Sequence, residues 1–205
     1  MGEIASATQE HIQSELKRFP SHVSDHFQEA WGSLSTTLSD QQMTAWARAG
    51  LQLAEQSVRS WEAANLYFEV GPRVSELMPF NYFVKWGDCG AELCQKSPAL
   101  AVAYFEASPG AMGRLRSRHI QEWSNLGLSL YRGTWKSSAL SARFFESSPT
   151  LLSNLTFPEL KRFVSFLDTL SRRSYDLALE CLDQGETIFP LAGDSKDVFI
   201  TLASE

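Results

Sequence analysis

Cysteine is scarce in this chain: Cys89, Cys94 and Cys181 are the only three in 205 residues. Their odd number and their spacing fit no disulfide framework, so a bridge-stapled secreted module is excluded and a reducing, cytoplasmic setting is the expectation. Long apolar runs are missing as well. No stretch reaches the roughly 18 residues of a membrane helix, and Glu3, Glu10 and Glu15 stand where a secretion signal needs a basic start and an apolar core. Phosphate-cradling glycine loops are absent, since Gly110-Ala111-Met112-Gly113 does not have that pattern. No serine or cysteine lies in a nucleophile elbow, and no aspartate-rich metal motif occurs. His22 and His26 share a helix face with Asp25 between them, but no third ligand accompanies them, and a solvated helix face is the simpler reading. These absences argue against an enzyme, and no metal or cofactor is expected.

What the chain does contain is a repeat. Trp46 with Gly50 precedes Tyr67-Phe68-Glu69-Val70-Gly71-Pro72; Trp86 with Gly90 precedes Tyr104-Phe105-Glu106-Ala107-Ser108-Pro109; Trp123 with Gly127 precedes Phe144-Phe145-Glu146-Ser147-Ser148-Pro149. The period of about 37 to 40 residues falls in the range of stacked helical arrays. Apolar residues at three- and four-residue steps, such as Phe83, Trp86, Gly90, Leu93 and Cys94, make the units helical. Ser97-Pro98 is a helix start, with serine capping and proline at the first helical position.

Read this way, each unit has three helices, one long, one medium and one short, with the short one opened by the Gly-Pro or Ser-Pro step. The expected fold is all-α: a right-handed α-solenoid of about four three-helix repeats behind an N-terminal helical cap. The cap covers 1–38, which lacks the repeat signature. Repeats follow at 39–79, 80–116 and 117–156, with a diverged fourth at 157–193 in which Phe163 replaces the Trp and Leu182 the second aromatic. Residues 194–205, with Val198, Phe199 and Leu202, read as the start of a further helix, with the chain then expected to be the N-terminal part of a longer protein, or as a closing C-terminal cap.

Spacing assigns the repeated Trp46, Gly50, Trp86, Gly90, Trp123 and Gly127, and the pairs Tyr67-Phe68, Tyr104-Phe105 and Phe144-Phe145, to the core. Trp and Gly four apart lie on one face, so the glycine leaves room for the indole or for a neighbouring helix. Cys89 and Cys94, five apart, turn away from each other and read as buried small hydrophobes. Glu69, Glu106 and Glu146 follow each aromatic pair. They either tie the short helix in place or form a carboxylate ladder for a basic partner.

Charge is uneven. Residues 114–143 hold Arg114, Arg116, Arg118, Arg132, Lys136 and Arg143 against Glu122 alone, a basic island in a chain of net charge −6. These cations either pair with acidic neighbours or face an acidic partner; nucleic acid is disfavoured by the overall charge. Trp31, Trp61 and Trp135 have no counterparts in the other units, and Trp135 beside Arg132 and Lys136 is a candidate contact hot spot, with core filling as the alternative.

The Trp-x-x-x-Gly and aromatic-aromatic-Glu-x-Gly/Ser-Pro pattern resembles α-helical repeat proteins of the armadillo, HEAT and tetratricopeptide class, although the 34-residue tetratricopeptide period is not met. More narrowly, it is similar to the helical regions preceding the von Willebrand factor A domain in bacterial proteins that work beside MoxR-type ATPases. That resemblance implies an adaptor or substrate-recruiting arm whose partner is an ATPase or a substrate protein. The expected function is therefore a non-catalytic protein-protein interaction scaffold. The alternative is nucleic-acid or phosphate-ligand binding through the basic island.

Overall fold

The computed structural model describes residues 3–192, and the expectations placed on 194–205 lie outside the described residues. Within 3–192 the chain is all-helical, with no strand. Its helices are α1 (Glu3–Leu16), α2 (Ser21–Leu34), α3 (Asp40–Glu55), α4 (Trp61–Glu76), α5 (Phe80–Lys96), α6 (Pro98–Met112), α7 (Ile120–Leu130), α8 (Trp135–Asn154), α9 (Phe157–Ser171) and α10 (Tyr175–Ala192), with a 3-10 turn at Ser117–His119 before α7. None of them is long and apolar enough to cross a membrane.

The units have two helices, not three. The expected medium and short helices run together as α4, α6 and α8, with Pro72, Pro109 and Pro149 inside them. Each proline removes the N–H that would meet the carbonyl four residues back, that of Phe68, Phe105 or Phe145, a loss worth about 3 kcal/mol in an isolated helix. That loss ends a helix with nothing else to hold it. Here the aromatic pair one turn earlier is fully packed, and tertiary contact carries the helix through the proline. A smaller expectation also fails. Ser97 makes no side-chain cap: its Oγ lies 3.2 Å from Ser138 Oγ. Local capping is instead supplied by Ser39, whose box with Gln42 opens α3, and by Thr134, whose box with Ser137 opens α8. Gly133, at φ +75°, makes the turn before Thr134 in a conformation side chains rarely adopt.

Packing follows a simple rule. Each odd helix touches the next odd helix, each even helix the next even helix, and each pair closes on itself. Trp31, Trp46, Trp86, Trp123, Phe68, Tyr104, Phe105, Phe144, Phe145 and Phe163 are buried in one continuous core.

The repeated residues build the same joint several times. The Tyr104 hydroxyl donates to the Trp86 carbonyl at 3.3 Å, as Tyr67 does to Trp46. The same tyrosine ring then reaches the Trp of the following pair: Tyr67 stacks on Trp86 (5.2 Å, 12°) and Tyr104 lies against Trp123 (4.8 Å, 31°). Phe68, Phe105 and Phe145 meet Trp46, Trp86 and Trp123 edge-on at 5.0–5.3 Å. The glycine serves this second aromatic and not the indole. A Cβ on Gly50, Gly90 or Gly127 would lie closer than 3.0 Å to the ring of Phe68, Phe105 or Phe145.

The N-terminal segment takes part in the same joint. Phe27 stacks on Trp46 (5.9 Å, 12°) and meets Phe68 edge-on, as Tyr67 does with Trp86 and Phe105. Nineteen residues separate Phe27 from Trp46, Tyr67 from Trp86, Tyr104 from Trp123 and Phe144 from Phe163. The connection from an even helix to the next odd one is thus constant in length. Length variation is confined to the turns inside pairs.

Candidate functional site

Two surfaces stand out. The first runs across the even helices. Glu29, Glu69, Glu106 and Glu146 each stand two residues after the first aromatic of their unit and are all exposed. Adjoining hollows connect them: His26, Glu29 and Glu69 line one of about 350 Å³, and Glu69, Arg73, Glu106 and Glu146 line one of about 620 Å³ with Leu66 and Val70 among its walls. Glu29, Glu69 and Glu106 make no ion pair among the described residues, whereas Glu146 approaches Arg143 at 3.6 Å. The role considered for these glutamates as ties at the start of a short helix does not arise, because that helix does not exist. Trp135 lies eleven residues before Glu146 on α8, three turns or roughly 16 Å away on nearly the same face. It is 77% exposed, so it does not fill the core, and Lys136 Nζ stands 5.7 Å from its ring.

The basic island divides in two. Arg132, Lys136 and Arg143 are engaged with the following helix pair: Arg132 with Asp168, Lys136 with Asp176 at 3.3 Å, and Arg143 with both Asp183 (2.7 Å) and Glu186. Burial alone would raise the Asp168 carboxyl, but hydrogen bonds from Arg172 and Arg132 outweigh it and hold the group below its usual range. Arg114, Arg116 and Arg118 make no ion pair among the described residues. They line a cleft of about 670 Å³ at the edge where α6 passes into α7 and α8 into α9, together with His119, Glu122, Phe157 and Lys161.

Within the cleft, polar groups are ordered. Arg114 Nε donates to Ser153 Oγ. Arg118 Nε donates to His119 Nε2 at 3.2 Å, which places the imidazole proton on Nδ1, 3.3 Å from Glu122 Oε1. Lys161 Nζ donates to Glu122 Oε2 at 2.8 Å. These hydrogen bonds, Lys161's first and His119's second, hold the Glu122 carboxyl below its ordinary value. The His119 ring lies 4.4 Å from that of Phe157.

Other singled-out residues are ordinary. His22 meets Trp61 edge-on at 5.2 Å, and no group of three or more His, Cys, Asp or Glu close enough to share a metal occurs among the described residues. Cys89 and Cys94 are buried, and burial pushes both thiols up to about 11.

Sequence reasoning missed Glu29, Arg73, His119, Phe157 and Lys161. Glu29 was within reach, because Phe27-Gln28-Glu29 stands at the same 19-residue distance from Trp46 as Tyr67-Phe68-Glu69 does from Trp86. Lys161 and Phe157 were not, being about 40 residues from the arginines they join. Comparison with protein-family models, with curated proteins and with solved structures finds no match.

Proposed function

We propose that the chain is a protein-binding scaffold: an α-solenoid of two-helix units whose even-helix face receives a basic, extended segment of another protein. The observation that carries this reading is the in-register row Glu29, Glu69, Glu106 and Glu146, exposed on four successive even helices and, in its first three members, without an ion pair among the described residues. An internal salt bridge would cancel such a row; an open one is a negative strip that steers a cationic chain and suppresses acidic competitors. Leu66, Val70 and Pro109 supply apolar floor between the carboxylates, and Trp135 supplies an aromatic anchor of the kind that dominates contact energies.

Stacked-pair contacts support the solenoid form, since each unit leans on its neighbours and leaves long faces free. The broad nucleic-acid alternative is weakened by the pairing of Arg132, Lys136 and Arg143, which leaves only the 114–118 end of the island for phosphate. The test is binding of a Lys/Arg-rich peptide to the wild-type chain and to a Glu69→Gln/Glu106→Gln variant. The variant should keep its melting temperature and lose about tenfold or more in affinity at low salt. Equal affinity in both proteins would refute the proposal.

A further inference from the structure

We propose that the cleft lined by Arg114, Arg116, Arg118 and Lys161, floored by Phe157, Leu152 and Leu155, is a binding site for a phosphate monoester carried on an apolar or planar body. This does not rest on the scaffold reading, since the cleft shares no lining residue with the glutamate groove.

The argument begins with charge. Four cations face one carboxylate in the cleft, and that carboxylate is already occupied on both oxygens, Oε1 by His119 and Oε2 by Lys161. None of the three arginines pairs with Glu122 among the described residues, where its ion-pair partners are His119 and Lys161. Everywhere else in the basic island the chain provides a carboxylate across the unit boundary, at Asp168, Asp176 and Asp183. At Arg114, Arg116 and Arg118 it provides none among the described residues, which leaves three guanidiniums within five residues open to an external anion.

Local structure concentrates them. Asp40, Phe80, Ser117 and Phe157 each stand six residues before the Trp or Phe of their odd helix, and three of the four open an α-helix there. In the third unit the first turn is wound as 3-10, Ser117–His119, and follows Arg116 in an extended conformation (φ −66°, ψ 134°). All three arginines thereby reach one cleft.

Chemistry chooses the anion. A carboxylate has two oxygens, which one guanidinium fork satisfies; a phosphate monoester carries nearly two charges and three terminal oxygens, enough for more than one fork. The cleft, at about 670 Å³, has the size of a small-molecule site and exceeds what phosphate alone fills. Part of the remaining wall is apolar: Leu115, Leu152, Leu155 and the Phe157 ring, which His119 already contacts at 4.4 Å. A body attached to the phosphate has a surface to cover there.

The test uses the full chain and phenyl phosphate, with inorganic phosphate and phenol as partial probes, by calorimetry. Phenyl phosphate should bind more tightly than either partial probe. Arg116→Gln with Arg118→Gln should weaken it about a hundredfold, near tenfold per guanidinium, with an unchanged melting temperature because both side chains are exposed. Phe157→Leu should weaken phenyl phosphate and leave inorganic phosphate as it was. A phosphotyrosine peptide identifies the source: tenfold tighter binding than phenyl phosphate assigns the ester to a protein side chain, and equal or weaker binding assigns it to a free small molecule. Indifference of all phosphate probes to the arginine substitutions, or phenol binding as well as phenyl phosphate, overturns the site.

Discussion

The joint around Trp46 and the joints around Trp86 and Trp123 use the same aromatic frame and finish it differently. In the second and third units the indole Nε1 donates to a serine, Trp86 to Ser108 at 2.8 Å and Trp123 to Ser148 at 2.9 Å, and each serine hydroxyl in turn donates a hydrogen bond to a carbonyl one turn back, that of Tyr104 or Phe144. In the first unit Gly71 occupies that position, and Trp46 Nε1 is buried with no partner among the described residues. Trp31, 6.5 Å from Trp46, has an unpartnered indole nitrogen too. The aromatic frame at the first joint thus forms without the relay. The Trp-Ser relay is an addition that completes a buried polar group, worth on the order of 1–3 kcal/mol when it is missing.

The largest way to break this comparison is to remove the indoles. Trp86→Ala should cost about 3–5 kcal/mol in chemical denaturation, and Trp46→Ala less than Trp86→Ala, because no hydrogen bond is lost with it; the reverse order would show that the relay contributes nothing. Gly90→Ala comes next. Helix propensity alone favours alanine by about 1 kcal/mol, yet the new Cβ must displace the Phe105 ring, so the net effect should be a loss of about 1–3 kcal/mol; a raised melting temperature would mean the ring moves aside freely.

The relay can be exchanged between joints. Ser108→Gly should destabilise by about 1–3 kcal/mol, and Gly71→Ser should stabilise by about 1 kcal/mol by giving Trp46 Nε1 its acceptor. The second effect requires a small adjustment, since a Cβ at Gly71 lies 3.3 Å from that nitrogen. Loss of stability in Gly71→Ser would show that the first joint is too tight for the exchange. The smallest effect is electrostatic. Asp168, whose carboxyl is held low by Arg172 and Arg132 against the effect of burial, contributes above about pH 4 and stops contributing as pH falls through its lowered value. Asp168→Asn should therefore cost about 1 kcal/mol or less near neutrality and nothing in strong acid, as thermal melts across pH would register.

Much of the joint was legible beforehand because its members recur. Trp86, Gly90, Tyr104 and Phe105 announce themselves by being written again in the same order in neighbouring stretches, and recurrence at helical spacing reports packing. The three-helix unit was misread for a local reason: Ser-Pro and Gly-Pro are helix starts when nothing else holds the chain, and the packing that overrides them at Pro109 and Pro149 comes from residues far along the sequence. Phe27 was missed because its neighbour Gln28 is polar where the other units have a second aromatic. The glutamates were visible as a repeat, but their role as ties depended on a short helix that the continuous α4, α6 and α8 do not form.

By itself the sequence determined the helical class and the recurring aromatic residues that the core buries, since both follow from spacing along a chain whose helices have a fixed pitch. Only the tertiary structure decided which cations are neutralised. Arg143 and Arg116 are the same residue type in the same basic run, yet one meets Asp183 and Glu186 on the following helix pair and the other meets no carboxylate among the described residues. Coulombic pairing acts over a few ångströms in space and is blind to distance along the chain. It is therefore settled by how the helix pairs are stacked.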